Sequence, residues 1–475
     1  MSSKKYNFRE YNQNQQIYHT ILPSQLLPDE HPARVIDKIV ETLDLSKIYN
    51  DYALEGNPSY HPKMMLKVLF YSYYSSSYSS RKIRARLISG DAAYIFLSGA
   101  QAPNHRAINE FRVRHIAELG NIFTQIVIMC EELDLLSFKN WGIDGQKIHA
   151  NASFKNSYSK ERLLKRMDKI SVAISKILET EITESFTYEI KSRRVQKLKK
   201  QQIKLNDLAE QFKEINDPKV KINTTDPDAP MMTHKDSSKK PSYNHQSVVD
   251  EKCGITVAIE TSKNVDVPDD LFLLVDKGIE NTGNTPENIL ADCAFSSLKN
   301  LDTIYTSKER TEEFFVPDRK MNIAEEDKKY YGKELFIENK NGEVTCPAQL
   351  KMKIIDQVEK ENILHTTFKG TDCKNCLLKG KCTKGDARTV SFTSVDGFVK
   401  KMRDKLNSTE GREIYRKRQH IVEAGHGDDQ KNKGWRQHFL RGYKKVHAEF
   451  TLIRIASNIG KIIKYADKGK ICAMT

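Results

Sequence analysis

The sequence predicts a mixed α/β protein whose N-terminal part is helical. Three observations carry this. First, apolar residues up to about residue 140 recur at helical spacing. "PKMMLKVLFYSYYS" reads as an apolar helix with Pro62 in its first turn. Leu119, Ile122, Ile126, Met129 and Leu133 repeat at intervals of three and four, on one helical face. Second, "VDEKCGITVAIETS" and "ENILADCAF" read as buried strands rich in Val, Ile and Ala. Between them "PDDLFLLVDKGIENTG" reads as a helix ended by Gly283, making a strand–helix–strand unit. Third, residues 160 to 215 interrupt this core with fourteen Lys or Arg and nine Asp or Glu. Leu205, Leu208, Phe212 and Ile215 there suit a helical hairpin or short coiled coil, a structural arm or self-association element. The following "NTTDPDAPMMTHKDSSKKPSYNHQ" is loop by composition.

A chain of 475 residues should form two to four compact units, and 38% hydrophobic content is enough to bury a core. Its 77 Lys and Arg against 63 Asp and Glu give a net charge of +14, which favours a polyanionic partner, nucleic acid before membrane. Between residues 60 and 120 there are nine Lys or Arg and three Asp or Glu. "SSRKIRARL", with Arg81, and "NHRAINEFRVRH", with Arg112, could lie along a phosphate backbone or enter a major groove. A solvated helical face is the plainer reading. The polar start, "MSSKKYNFREYNQNQQ", has no signal-peptide core, and no apolar run is long enough to span a membrane. Eight cysteines in so long a chain do not make a disulfide scaffold, so a reducing cytoplasm is expected.

Three acids stand out by context. Asp144 follows a strand-like "WGI", Asp292 closes "NILADCAF", and Glu423 lies in "YRKRQHIVEAGHG", a helix dense in Arg and Lys. Acids at the carboxyl ends of neighbouring strands converge at one edge of an α/β sheet, and a helix beside them can add a third. Such hard oxygen donors suit Mg²⁺ or Mn²⁺, and two such ions can clamp an in-line phosphoryl displacement. With 63 acids many triples are available, so spacing alone is weak. Asp250 in "VVDEKCG" is a reserve ligand, with an ordinary strand-start acid the preferred reading.

Cys346, Cys373, Cys376 and Cys382 form C-x₂₆-C-x₂-C-x₅-C. A closed structural Zn²⁺ site, reduced thiols packed in a loop and a disulfide all remain open. Cys130, Cys253 and Cys293 read as core packing, and His149, His245, His426 and His447 as surface or hydrogen-bonded residues. Trp435 in "KNKGWRQHF" could stack on a displaced base or pack in the core.

"DGQKIHANAS", "ADCAFSS" and "YRKRQHIVEAGHGDDQKNKGWRQHFLRGYKKVHAEFTLIRIASNIGKI" resemble the three signature blocks of DDE transposases of bacterial insertion sequences, in the branch with an InsH-like N-terminal domain. "GNPSYHPKMMLKVLFYSYYSSSYSSRKI" and "PNHRAINEFR" agree, and the likeness runs from about residue 15 to 465. The resemblance implies an RNase H-like core (139–465) behind a helical DNA-binding domain (1–138). A helical insertion (158–216) and a Cys-rich insertion (340–390) would interrupt the core, leaving a tail (466–475). It implies Asp144, Asp292 and Glu423 as the catalytic, Mg²⁺-binding triad, with Tyr415, Arg418, Lys431 and Arg441 near DNA. Asn458 also matches. The chain departs from the family pattern where Gln146 replaces Thr, and where Ala294 and Phe295 replace Gly-Tyr. Ala424, His426 and Gln430 replace Pro, Phe and Lys, with Lys431 adjacent. The implied activity is DNA cleavage and strand transfer at element ends by a nucleoid-associated homodimer. An inactive DNA-binding derivative and a metal-dependent nuclease are the alternatives.

Overall fold

A computed structural model describes residues 22–52, 59–182, 188–213, 215, 217, 219–264, 268–318, 321, 329–339 and 342–472. The polar N-terminal stretch lies outside these residues, as do the starts of the two blocks at 15 and 56; the side chains of Ala424 and His426 are likewise not described.

Among the described residues seven α-helices come first: α1 (Pro32–Thr42), α2 (Ser46–Tyr49), α3 (Pro62–Tyr74), α4 (Ser80–Ile88), α5 (Ala92–Ser98), α6 (His105–Arg114) and α7 (Ile116–Glu132). Pro62 opens α3 as expected, because its missing N–H is one the first turn leaves unbonded anyway. Leu119, Ile122, Ile126 and Met129 line the buried face of α7.

A six-stranded sheet follows: β1 (Asn140–His149), β4 (Met231–Thr233), β5 (Lys239–Asp250), β6 (Thr256–Ser262), β7 (Asn288–Leu290) and β8 (Glu313–Phe315). Its main path runs β6-β5-β1-β7-β8, with β4 pairing the start of β5. The β1–β5 and β5–β6 pairs are antiparallel, whereas β7 and β8 run parallel to β1. Helix α10 (Asp270–Thr282) joins β6 to β7 and stops at Gly283, whose φ of 68° is the left-handed cap glycine accepts without strain. Helix α11 (Leu298–Thr306) leads to β8.

The strand expected in "ENILADCAF" is shorter than its apolar run: β7 ends at Leu290, and a 3₁₀ turn begins at Cys293. The stretch read as loop is corrected more strongly, since β4 and the first two thirds of β5 lie within it. The polar residues of its last part, Ser242, Asn244, His245 and Gln246, are buried rather than solvated. His245, for example, is fully buried and pairs with Thr261 and His438.

After β1, the short pair β2 (Ser157–Tyr158) and β3 (Ile222–Asn223) closes the base of a hairpin of α8 (Lys160–Glu179) and α9 (Tyr188–Gln211). The hairpin has its own core of Leu163, Ile170, Leu205, Leu208, Phe212 and Ile222. A second lobe contains β9 (Ile337–Glu338), β10 (Val344–Thr345), β11 (Lys353–Lys360), β12 (Ile363–Lys369), α12 (Lys379–Cys382) and β13 (Thr389–Thr393). It packs around Phe336, Val344, Met352, Phe368, Val390 and Phe392. The chain returns through α13 (Asp396–Asn407), α14 (Thr409–Gly427), α15 (Tyr443–Tyr465) and α16 (Lys468–Cys472). Helix α15 packs on α3, α7 and β6, so one apolar core runs from the N-terminal helices into the sheet. Among the described residues no helix is long and apolar enough to cross a membrane.

Candidate active site at the sheet edge

β1 and β7 are parallel neighbours, with Asn140 beside Asn288, Trp141 beside Ile289 and Gly142 beside Leu290. The pairing ends at Gly142 and Leu290, and Asp144 and Asp292 each follow two residues beyond it. Asp292 stays extended, and its carboxylate accepts from the Cys293 N–H at 2.6 Å, capping the turn that ends the strand. Asp144 accepts from the Gly145 N–H at 2.9 Å.

Helix α14 crosses directly over β1. A Cβ on Gly142 would come within 2.6 Å of Val422 Cγ1 and 2.9 Å of Ile421 Cγ2, so only glycine permits this approach. Tyr415, Arg418 and Val422, spaced by three and four, all face the sheet. The Tyr415 hydroxyl donates to the Ala291 carbonyl at 3.3 Å, and Arg418 pairs with Asp144 at 3.2 Å. Burial pushes the Tyr415 hydroxyl up to about 12; the neighbouring Arg418 pulls the other way and the Asp292 charge adds to the rise. Arg418 Nε is buried without a hydrogen-bond partner. Glu423 follows Val422 on the flank of the same helix, exposed, accepting from Gln419 at 3.1 Å. Asp144 pairs with Arg418 and the Asp292 charge reaches Tyr415, so both acids lie by α14, the helix that also carries Glu423. Among the described residues no three His, Cys, Asp or Glu side chains are gathered tightly enough to hold a metal as they stand.

Two departures from the family pattern meet here. Gln146 is buried on β1, and Gln430 donates to it at 3.5 Å from a π-helical turn, Asp428–Asn432, that continues α14. Gln146 also donates to Asp429 at 3.5 Å, and Asp429 is ion-paired with Arg454 of α15 in the core. Periodicity offered no signal for these contacts, because the partners are hundreds of residues apart.

The candidate DNA contacts divide by exposure. Arg81, Lys431 and Arg441 are exposed, with Arg441 braced on Asn151 at 2.9 Å and 3.2 Å. Arg112 is corrected: it is 3% exposed and donates to Tyr73, Tyr78 and Asn109, so it ties α6 to α3 and cannot reach a phosphate. Trp435 is fully buried against Phe450, which removes the base-stacking alternative. Asp250 is buried and accepts from Ser137, Phe138, Trp141 and Lys252, which fits the ordinary structural acid.

Cys346, Cys373, Cys376 and Cys382 line one small cavity in the second lobe, and none is in a disulfide. Cys346 opens a turn closed by Gln349, whose N–H donates to its carbonyl at 2.8 Å. Gly370 leaves room for the Cys373 thiol, which a Cβ would meet at 2.4 Å. Burial raises the Cys382 thiol, and the other three thiols push it the same way.

Residues 23–114 match the family described as Transposase domain (DUF772), and residues 345–463 match the Transposase DDE domain family. The second match takes in Glu423 and the four cysteines; Asp144 and Asp292 lie outside both. No curated protein and no solved structure matches. Two transposase domains in this order on one chain indicate a DDE-type transposase of the insertion-sequence kind.

Proposed function

We propose that this transposase cleaves DNA at the ends of its element and joins the freed 3′-hydroxyl to a target strand, using Asp144, Asp292 and Glu423 on an RNase H-like core. The supporting observation is that Asp144 and Asp292 each follow by two residues the last paired positions of the parallel strands β1 and β7, with α14 packed onto Gly142 beside them. The strand order β6-β5-β1-β7-β8, with β7 and β8 parallel to β1, supports that core. The donor set fits Mg²⁺ or Mn²⁺: all carboxylate oxygens, one of them already balanced by the Arg418 cation. When bound, such ions supply an activated water and charge stabilisation at the attacked phosphate.

The chain's own residues do the rest. Arg418, with its unpartnered Nε, offers a donor to a phosphate oxygen once a cation replaces it on Asp144. Tyr415 stays protonated and holds α14 on the end of β7. Arg81, Lys431 and Arg441 contact the duplex from exposed positions. In the first step a water oxygen bonds to phosphorus and the 3′-oxygen leaves, taking a proton. In the second, that 3′-hydroxyl loses its proton, bonds to a target phosphorus and expels a target 3′-oxygen. A homodimer would let two ends be handled together.

The four cysteines, which line one cavity, would hold a structural Zn²⁺ that fixes the second lobe. Purified protein should then carry about one Zn per chain, lost in Cys376→Ser; metal-free wild type that keeps its folded lobe excludes this. For the main reading, the full chain is incubated with labelled element ends, target plasmid and Mg²⁺. Joined product is expected. Cut ends alone indicate a nuclease, and a gel shift alone a DNA-binding derivative.

A further inference from the structure

Helix α9 carries Arg193, Lys197, Lys200 and Lys204, spaced by four, three and four, so the four cations form one row along the helix. All four are exposed, and with Gln196 and Gln201 they line a shallow open groove. Arg193 is 3.5 Å from Glu189, while Lys197, Lys200 and Lys204 have no acidic partner among the described residues. The opposing α8 is met by a different side of α9, the one bearing Leu205 and Leu208. Nothing in the hairpin's own packing therefore needs this row of charge. Like charges at four-residue spacing weaken an isolated helix, which a bound anion would offset.

The hairpin follows β1, which runs five residues past Asp144 to His149 before β2 and β3 close the hairpin's base. At 1.5 Å rise per residue the row spans about 16 Å, and phosphates of one duplex strand advance about 3.4 Å each. We propose that this row is a second, sequence-independent DNA contact, in which the arm grips the phosphate backbone of duplex held at the sheet edge. The inference rests on the DNA-handling reading above and adds a surface to it. The charge is of the wrong kind to meet the same face of a second, equally basic arm.

The test uses the full chain and a fluorescein-labelled 30-base-pair duplex of mixed sequence, titrated between 50 and 200 mM NaCl. Each phosphate contact contributes about 0.9 to the slope of log affinity against log salt. Replacing the row as R193Q/K197Q/K200Q/K204Q should make the slope shallower by about 3 to 4, with helical content unchanged by circular dichroism, since Gln is a good helix former. K197R/K200R/K204R should keep the wild-type slope. An unchanged slope in the Gln variant overturns the arm contact, and joined product in the same variant leaves the transposase reading standing. A changed sedimentation state with unchanged slope assigns the row to self-association and overturns the proposal. Salt-independent binding by wild type sinks both.

Discussion

Two Arg–Asp pairs sit on either side of the same turn of chain and differ mainly in access to water. Arg418 and Asp144 retain 13% and 20% of their side-chain exposure, whereas Arg454 and Asp429 keep 2% and 1%. Burial pulls the Arg454 guanidinium down to about 10, still protonated at neutral pH. A pair that water can reach can also be exchanged, with a metal ion taking one partner and a phosphate the other. A fully buried pair has no such freedom, and removing one partner strands a charge in a low dielectric. The first pair is open to such exchange, and the second holds the π-helical turn after Glu423 onto α15.

The largest expected effect comes from breaking the buried pair. Arg454→Met should cost about 3–5 kcal/mol in urea unfolding; a loss below about 1 kcal/mol would show that the two pairs are equivalent after all. Gly142→Ala should come next, because its methyl meets Val422 and Ile421 and costs about 1–3 kcal/mol by overpacking. Lifting α14 from β1 should slow strand joining roughly a hundredfold while leaving duplex affinity intact. Equal losses of joining and affinity would detach Gly142 from the site. Arg418→Gln should change stability by no more than about 1 kcal/mol yet slow joining by about 10²-fold; the opposite pattern would make it a second structural pair.

The smallest effect concerns pH. Burial, helped by the facing His234, lowers His149 to about 4, and burial also lowers His234 and His447. These rings are neutral when folded but bind protons in the unfolded chain below its ordinary value near 6.5. For His149 the contribution is therefore complete above about pH 6.5 and is lost as pH falls towards 4. His149→Gln should flatten the fall in melting temperature over that window. Identical curves for variant and wild type would remove His149 from the account.

Helices α3, α7 and α10 were legible because apolar spacing, an opening Pro62 and a closing Gly283 all act locally. Strand β5 was not. Its buried Ser242, Asn244, His245, Gln246 and Ser247 read as solvated until partners such as Thr261 and His438 are in place. Arg81 and Arg112 sit in similarly basic stretches, yet only tertiary packing decides that one faces solvent and the other Tyr73. At the site, the residue types and the family likeness pointed to three acids. The crossing at Gly142 and the meeting of Gln146 with Gln430 needed the fold, since each joins segments more than 270 residues apart.

The most direct test is strand joining by Asp144→Asn, Asp292→Asn and Glu423→Gln, with duplex affinity measured on the same preparations. Each variant should lose joining in Mg²⁺ and in Mn²⁺ while binding DNA as wild type does. Wild-type joining by any one of the three would remove that acid from the site and break the common centre.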